Sequence, residues 1–254
     1  MLFRQTYEYF VLFNKVAFSN RLGFLWMLVL PAAVFIAQHA SWFAHKPTIP
    51  TYDASLAGWW GYVVLGSSVN GVGLSLLQMR ESGFLKMFRF VGGHAYTVAA
   101  GQIASMLFYT LVNVTLLTAA TSPMSPVPFF ALWPIAMLAC TISFIPVAIF
   151  FCLIPSLPVR VQSISPLLNV LIAPLVYLAF VDGYRSFPIT REILDTLNPI
   201  VFVMRLTSAL FTVTGLGSSM HADTLPVIAV GVFYLMIGLI GLRSIRVIST
   251  VLRT

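Results

Sequence analysis

Residues 80–94 read RESGFLKMFRFVGGH, a short cationic stretch punctuated by glycines and set between two long apolar runs. Such a stretch reads as a polar hinge between two membrane crossings, since the chain on either side of it is mostly hydrocarbon. Composition agrees. Of 254 residues 59% are hydrophobic and 8% charged, with a mean hydropathy of +0.95, too apolar for a domain that must face water on all sides. A hydrocarbon core about 30 Å thick takes roughly 20 apolar residues in a helix. Runs of that order are expected at Leu22–Gln38, Ala57–Gln78, Thr97–Ala120, Phe129–Ile154, Ser163–Val181 and Leu225–Leu242. None alternates with the period of two that a β-barrel requires. The expected fold is an all-α integral membrane protein with six transmembrane helices, a single transmembrane domain over 1–254.

The basic residues orient these six spans. With both termini cytoplasmic, the inner segments hold Arg4, Lys15, Arg21, Arg80, Lys86, Arg89, Arg160, Arg243, Arg246 and Arg253, and the outer ones Lys46, Arg185, Arg191 and Arg205. Counting Glu8 and Glu81 inside and the other five acids outside, the two faces carry +8 and −1, which make up the net +7. This asymmetry is a topology signal and an attraction to anionic lipid, so no nucleic-acid partner is expected.

Outward from the hinge, residues 1–21 read as an interfacial helix. Arg4, Glu8, Lys15 and Ser19 share one sector at 100° per residue, with aromatic residues elsewhere. In the second run Ser67, Gly71 and Ser75 recur every four residues, the spacing of a helix-packing face, with Asn70 beside them as interhelical glue. Within the hinge a short helix is expected to show Arg80, Lys86 and Arg89 to the cytosol while Phe84 and its apolar neighbours pack inward, ending at Gly92 and Gly93. Pro134 and Pro146 inside the fourth run predict a kink or break. Residues 182–224 form the longest stretch outside the six runs, and the apolar segment Asn198 to Phe211 is too short to cross, so it reads as a re-entrant outer segment before the last span.

Several chemistries are excluded. No charged residue falls inside the six runs as bounded above, which argues against an ion-coupled carrier. The three lysines stand in no phosphate-binding loop, and no metalloprotease or serine-hydrolase motif occurs. His39 and His45 are spaced poorly for a shared metal, so no metal site is expected. Cys140 and Cys152 lie on one run, which rules out a disulfide between them.

Arg80, Glu81, Gly83 and Lys86 stand in an Arg-Glu-x-Gly pattern with a following basic residue. Asn198, Pro199, Phe202 and Arg205 stand in an Asn-Pro-x-x-aromatic pattern before the last span. With the six-span layout, these features resemble the membrane subunit of an ATP-binding-cassette (ABC) exporter of the type-2 family. Gly92, Gly93 and His94 replace the proline usual there. The resemblance implies that residues 80–95 form a cytosolic coupling loop, with Arg80, Glu81, Gly83, Phe84, Lys86 and Arg89 engaging a separate ATPase subunit. It also implies a second permease subunit, identical or a sister chain, and ATP and magnesium held by the ATPase, with no cofactor in this chain. The implied activity is efflux of an amphiphile, such as a drug, an antimicrobial peptide or a lipid-like molecule, across the plasma membrane, with no catalysis by the permease itself. The competing readings are a channel or facilitator, and a membrane anchor that has no ATPase.

Overall fold

A computed structural model describes residues 2–90, 95–180, 195–215 and 224–244. The expectations placed on Gly92, Gly93, His94, the acids and arginines of 182–194, Gly217 to Asp223 and the tail beyond Ser244 lie outside the described residues, as does the side chain of Arg89. The described chain is all helical, with no strand among those residues. Its principal helices are α1 (Leu2–Ser19), α2 (Arg21–Gln38), α3 (Ile49–Gly66), α4 (Ser75–Glu81), α5 (Phe84–Phe90), α6 (Ala95–Thr121), α7 (Phe129–Phe151), α8 (Val161–Phe180), α9 (Pro199–Val213) and α10 (Thr224–Arg243). A π-helical stretch, Ser67–Leu74, joins α3 to α4 without a break.

Among the described residues five stretches are long and apolar enough to cross a membrane: Ile49–Glu81, Tyr96–Met124, Phe129–Ser156, Val161–Phe180 and Thr224–Arg243. The chain is a multi-pass membrane protein. The first expected span corresponds to α2, whose 18 residues Arg21–Gln38 cover about 27 Å at about 1.5 Å per residue and include the apolar segment Leu25–Gln38. The second starts earlier than its hydropathy implied. Thr48 is extended and Pro50 occupies the first helical turn, where its missing N–H costs nothing, so the helix begins at Ile49 and takes in Asp53. That carboxylate, expected in an outer loop, is 2% exposed, and the absence of charge from the spans does not hold.

α7 runs unbroken through Pro134 and Pro146, so of the expected kink or break the break does not occur. It is the central helix, packed against α3, α6, α9 and α10. Its seam with α10 depends on glycine. A Cβ at Gly238 would overlap the backbone of Ile149 and Phe150, and one at Gly241 would stand 2.7 Å from Leu153 Cα. Without a hydrophobic drive between helices in lipid, such backbone proximity supplies the van der Waals contact that holds them. α1 lies along the first half of α6: Tyr9 covers Gly101, Phe10 and Phe18 meet Phe108 edge-on, and Phe13 packs with Val98 and Leu85.

Because Gly238 faces backbone, which cannot swing aside, Gly238→Leu is expected to cost about 1–3 kcal/mol. A fall in the thermal unfolding midpoint of the detergent-purified protein, absent for the same change at the open position Val232, 49% exposed, checks it.

Candidate functional site

Arg80 ends the second long helix, and its side chain turns back into the protein. It is 2% exposed. Nη1 donates to the carbonyls of Pro155 at 2.7 Å and Leu157 at 2.6 Å, and Nη2 donates to that of Val159 at 2.7 Å. These carbonyls belong to the turn that leaves α7 and leads into α8, where helix ends leave acceptors without intrahelical donors. The next residue serves the other end of the same turn. Glu81 Oε1 accepts from the backbone N–H of Val161 at 2.8 Å, the first residue of α8. A cation thus sits among the carbonyls of the turn and an anion by the amide-rich start of α8, where the helix dipole favours it. Charge-assisted bonds of this kind are the strong ones, and they fasten the α7–α8 turn to the end of α4.

The chain then reverses at Gly83, whose φ of +76° is a left-handed conformation that a side chain disfavours. α5 follows, with Leu85 buried at 3% against Phe13 and Val98, and Phe84 partly buried beside them. Lys86 and Met87 face outward, Met87 at 58% exposure. The short helix expected here is present from Phe84, and Phe84 and Leu85 pack inward. Arg80 and Glu81, expected to face outward, are instead held by the chain itself. Once buried, a guanidinium must find hydrogen-bond partners, and the three carbonyls of the turn supply them.

Beside this clamp lies a cleft of about 530 Å³ between α1, α2, the π-helical stretch, α6 and the start of α8. Ser67, Gly71 and Ser75, expected to share one packing face, all line it. Gly71 also meets α6 tightly, since a Cβ there would overlap Met106 Sδ. Ser67 and Gly71 stand in the π-helical stretch, bonded i to i+5 rather than i to i+4. Gln102 of α6 donates through Nε2 to the carbonyl of Gly71 at 2.5 Å and to Ser75 Oγ at 3.2 Å. Asn70, expected as glue, is exposed at the cleft. Sequence gives no signal for a π turn beyond the glycines and serines that tolerate it.

A second junction lies deeper in the bundle. Asn198 caps α9, accepting from Ile200 N–H at 3.0 Å, and its Nδ2 donates to the carbonyl of Leu175 in α8 at 2.7 Å. Pro199 is the first residue of α9. Phe202 is 3% exposed and meets Tyr234 of α10 edge-on, whose hydroxyl donates to the Leu197 carbonyl at 2.6 Å. Ile200 lies against Gly61 of α3, where a Cβ would stand 2.9 Å from its backbone. Arg205 is half-buried one turn along α9. The Asn-Pro signature therefore marks a helix start held by α3, α8 and α10 together.

No group of three or more metal-ligating side chains occurs among the described residues. His39 instead bonds its own helix at the Phe35 carbonyl and lies against Trp42. Both cysteines are free and buried. Compared with family models, curated proteins and solved structures, the chain matches none.

Lysine cannot reach three carbonyls with a planar fork, and alanine leaves them all without their donor. Arg80→Ala is expected to destabilise the fold by roughly 3 kcal/mol, with Arg80→Lys intermediate, from charged hydrogen bonds worth about 1.5–3 kcal/mol each. Limited proteolysis of the 153–163 turn in detergent checks this: cleavage should quicken in the order wild type, lysine, alanine.

Proposed function

We propose that this chain is the membrane subunit of an ATP-driven exporter of the type-2 ABC kind, moving an amphiphile out of the cell with energy from a separate ATPase. The observation that carries the reading is the clamp at Arg80 and Glu81. A permease without its own phosphate-binding loop must receive force at its cytosolic surface. That force is useful only if the receiving element is fixed to several spans at once. The clamp fixes α4 and α5 to the α7–α8 turn, and Leu85 fixes α5 to α1 and α6. A push on α5 then moves several spans together, as rigid-body transitions require.

In this reading α2 is the first of six spans, its 18 residues long enough to cross most of the hydrocarbon core. α1 lies in the inner interface, with Phe3 and Tyr7 exposed to lipid. α9 is the re-entrant outer segment, and both termini are cytoplasmic at the plasma membrane. The contact to the ATPase passes through Lys86, Met87 and the outer face of α5, with ATP and magnesium held by that partner. A second permease subunit covers α8, whose residues are all at least partly exposed and which carries the exposed polar residue Asn169. An asparagine is costly against lipid and finds partners across helix interfaces.

One observation favours a rival, a proton- or cation-coupled facilitator. Asp53 is buried in a spanning helix with Oδ1 unpartnered, and intramembrane carboxylates commonly serve coupling.

Affinity purification of the tagged chain from its native membranes separates the two. Recovery of a nucleotide-hydrolysing ATPase in about equal amount, lost on Lys86→Glu with the thermal midpoint unchanged, supports the exporter. Transport that persists without ATP and stops on Asp53→Asn would replace it with the facilitator.

A further inference from the structure

The cleft beside the clamp carries a chemical specification of its own. Gln102 is 3% exposed and lines it. Its carboxamide orientation is set by its partners, because the Gly71 carbonyl can only accept and so must face Nε2. The atom left over is Oε1, buried with no partner, and it is an acceptor. Ser67 Oγ, 2% exposed and also lining the cleft, is likewise buried and unpartnered. Leaving such groups unmatched away from water is unfavourable, so an occupant that brings a donor is favoured over a purely apolar one.

The remaining walls define the rest of the occupant. Among the described residues no Asp, Glu, Lys, Arg or His lines the cleft, so a charged head would be desolvated with nothing to balance it. Met27, Met79 and Met106 line it, flexible side chains that adapt to apolar bodies of varied shape. A volume of about 530 Å³ falls within the roughly 300–1,000 Å³ of small-molecule sites. The rim is open, with Val16, Asn70 and Gln78 exposed.

We propose that this cleft binds an uncharged amphiphile, its hydroxyl or amide donor meeting Gln102 Oε1 and Ser67 and its apolar body lying against the methionines. Identifying this ligand as the exporter's cargo rests on the function proposed above, whereas the site rests on the cleft alone.

The probe is monolauroylglycerol carrying a diazirine in its acyl chain, photolysed with the purified chain in phosphatidylcholine nanodiscs without any ATPase. The expected result is saturable labelling of peptides spanning 66–79 and 102–109. The probe's dimethyl ether, which lacks donors, should label about tenfold less, as expected for one lost hydrogen bond to a buried acceptor. Gln102→Leu should reduce labelling similarly. Ser165→Phe, which fills the cleft from α8 without removing the Gln102 bonds, should abolish it with the thermal unfolding midpoint of the protein unchanged. Equal labelling by the ether, or labelling confined to exposed positions such as Leu167 and Val170, would overturn the site. Loss of labelling while an ATPase still co-purifies overturns the site and leaves the exporter; labelling with no ATPase recovered upholds the site and removes the exporter.

Discussion

A buried guanidinium cannot be left without partners, and Arg80 meets this constraint with three backbone carbonyls from the turn after α7. Much else follows from that. The turn is held in the conformation that presents Val161 N–H to Glu81, so α8 starts where α4 ends. Gly83 then reverses the chain, and Leu85 reaches the seam between α1 and α6. One arginine thereby links the second long helix, the central helix α7 and the start of α8, while the residue after the reversal adds α1 and α6.

The clamp and the cleft share a wall. Met79 and Val161 line the cleft, and they stand next to Arg80 and at the Glu81 contact respectively. Any displacement of the clamp would therefore change the cleft, without a relay of side chains between distant sites. α1 contributes to both as well: Phe13 lines the cleft and also packs with Leu85. An occupant in the cleft and a force on α5 would act on the same few contacts, which is the economy a coupled transporter requires.

The class of the protein was legible in its composition and the positions of four later spans in their hydropathy, because both depend on local chain chemistry. The Arg-Glu pair was legible as a special position, but its direction was not. The carbonyls that hold Arg80 lie 75, 77 and 79 residues further along, and no local pattern reports them. Asp53 was misplaced for a related reason: hydropathy sees a charge and ends the span, whereas a proline in the first turn starts the helix before it. The small residues at 67, 71 and 75 were found, but a helical period of 3.6 was assumed for them. All three line the cleft, and Gln102 of α6 bonds Gly71 and Ser75 across it. Asn198 and Pro199 were visible as a helix start, while the three helices that hold that start depend on tertiary packing alone.

The central claim is that Arg80 and Glu81 make the α4–α5 hairpin and the α7–α8 turn one rigid unit. The direct measurement is the distance distribution between spin labels at Ser82→Cys and Leu157→Cys in nanodiscs, the native cysteines being buried and out of reach. The account predicts a single narrow distribution, unchanged when the partner ATPase and nucleotide are added, and broadened by Arg80→Ala. A broad distribution in the wild type, or one that shifts with nucleotide, would contradict it.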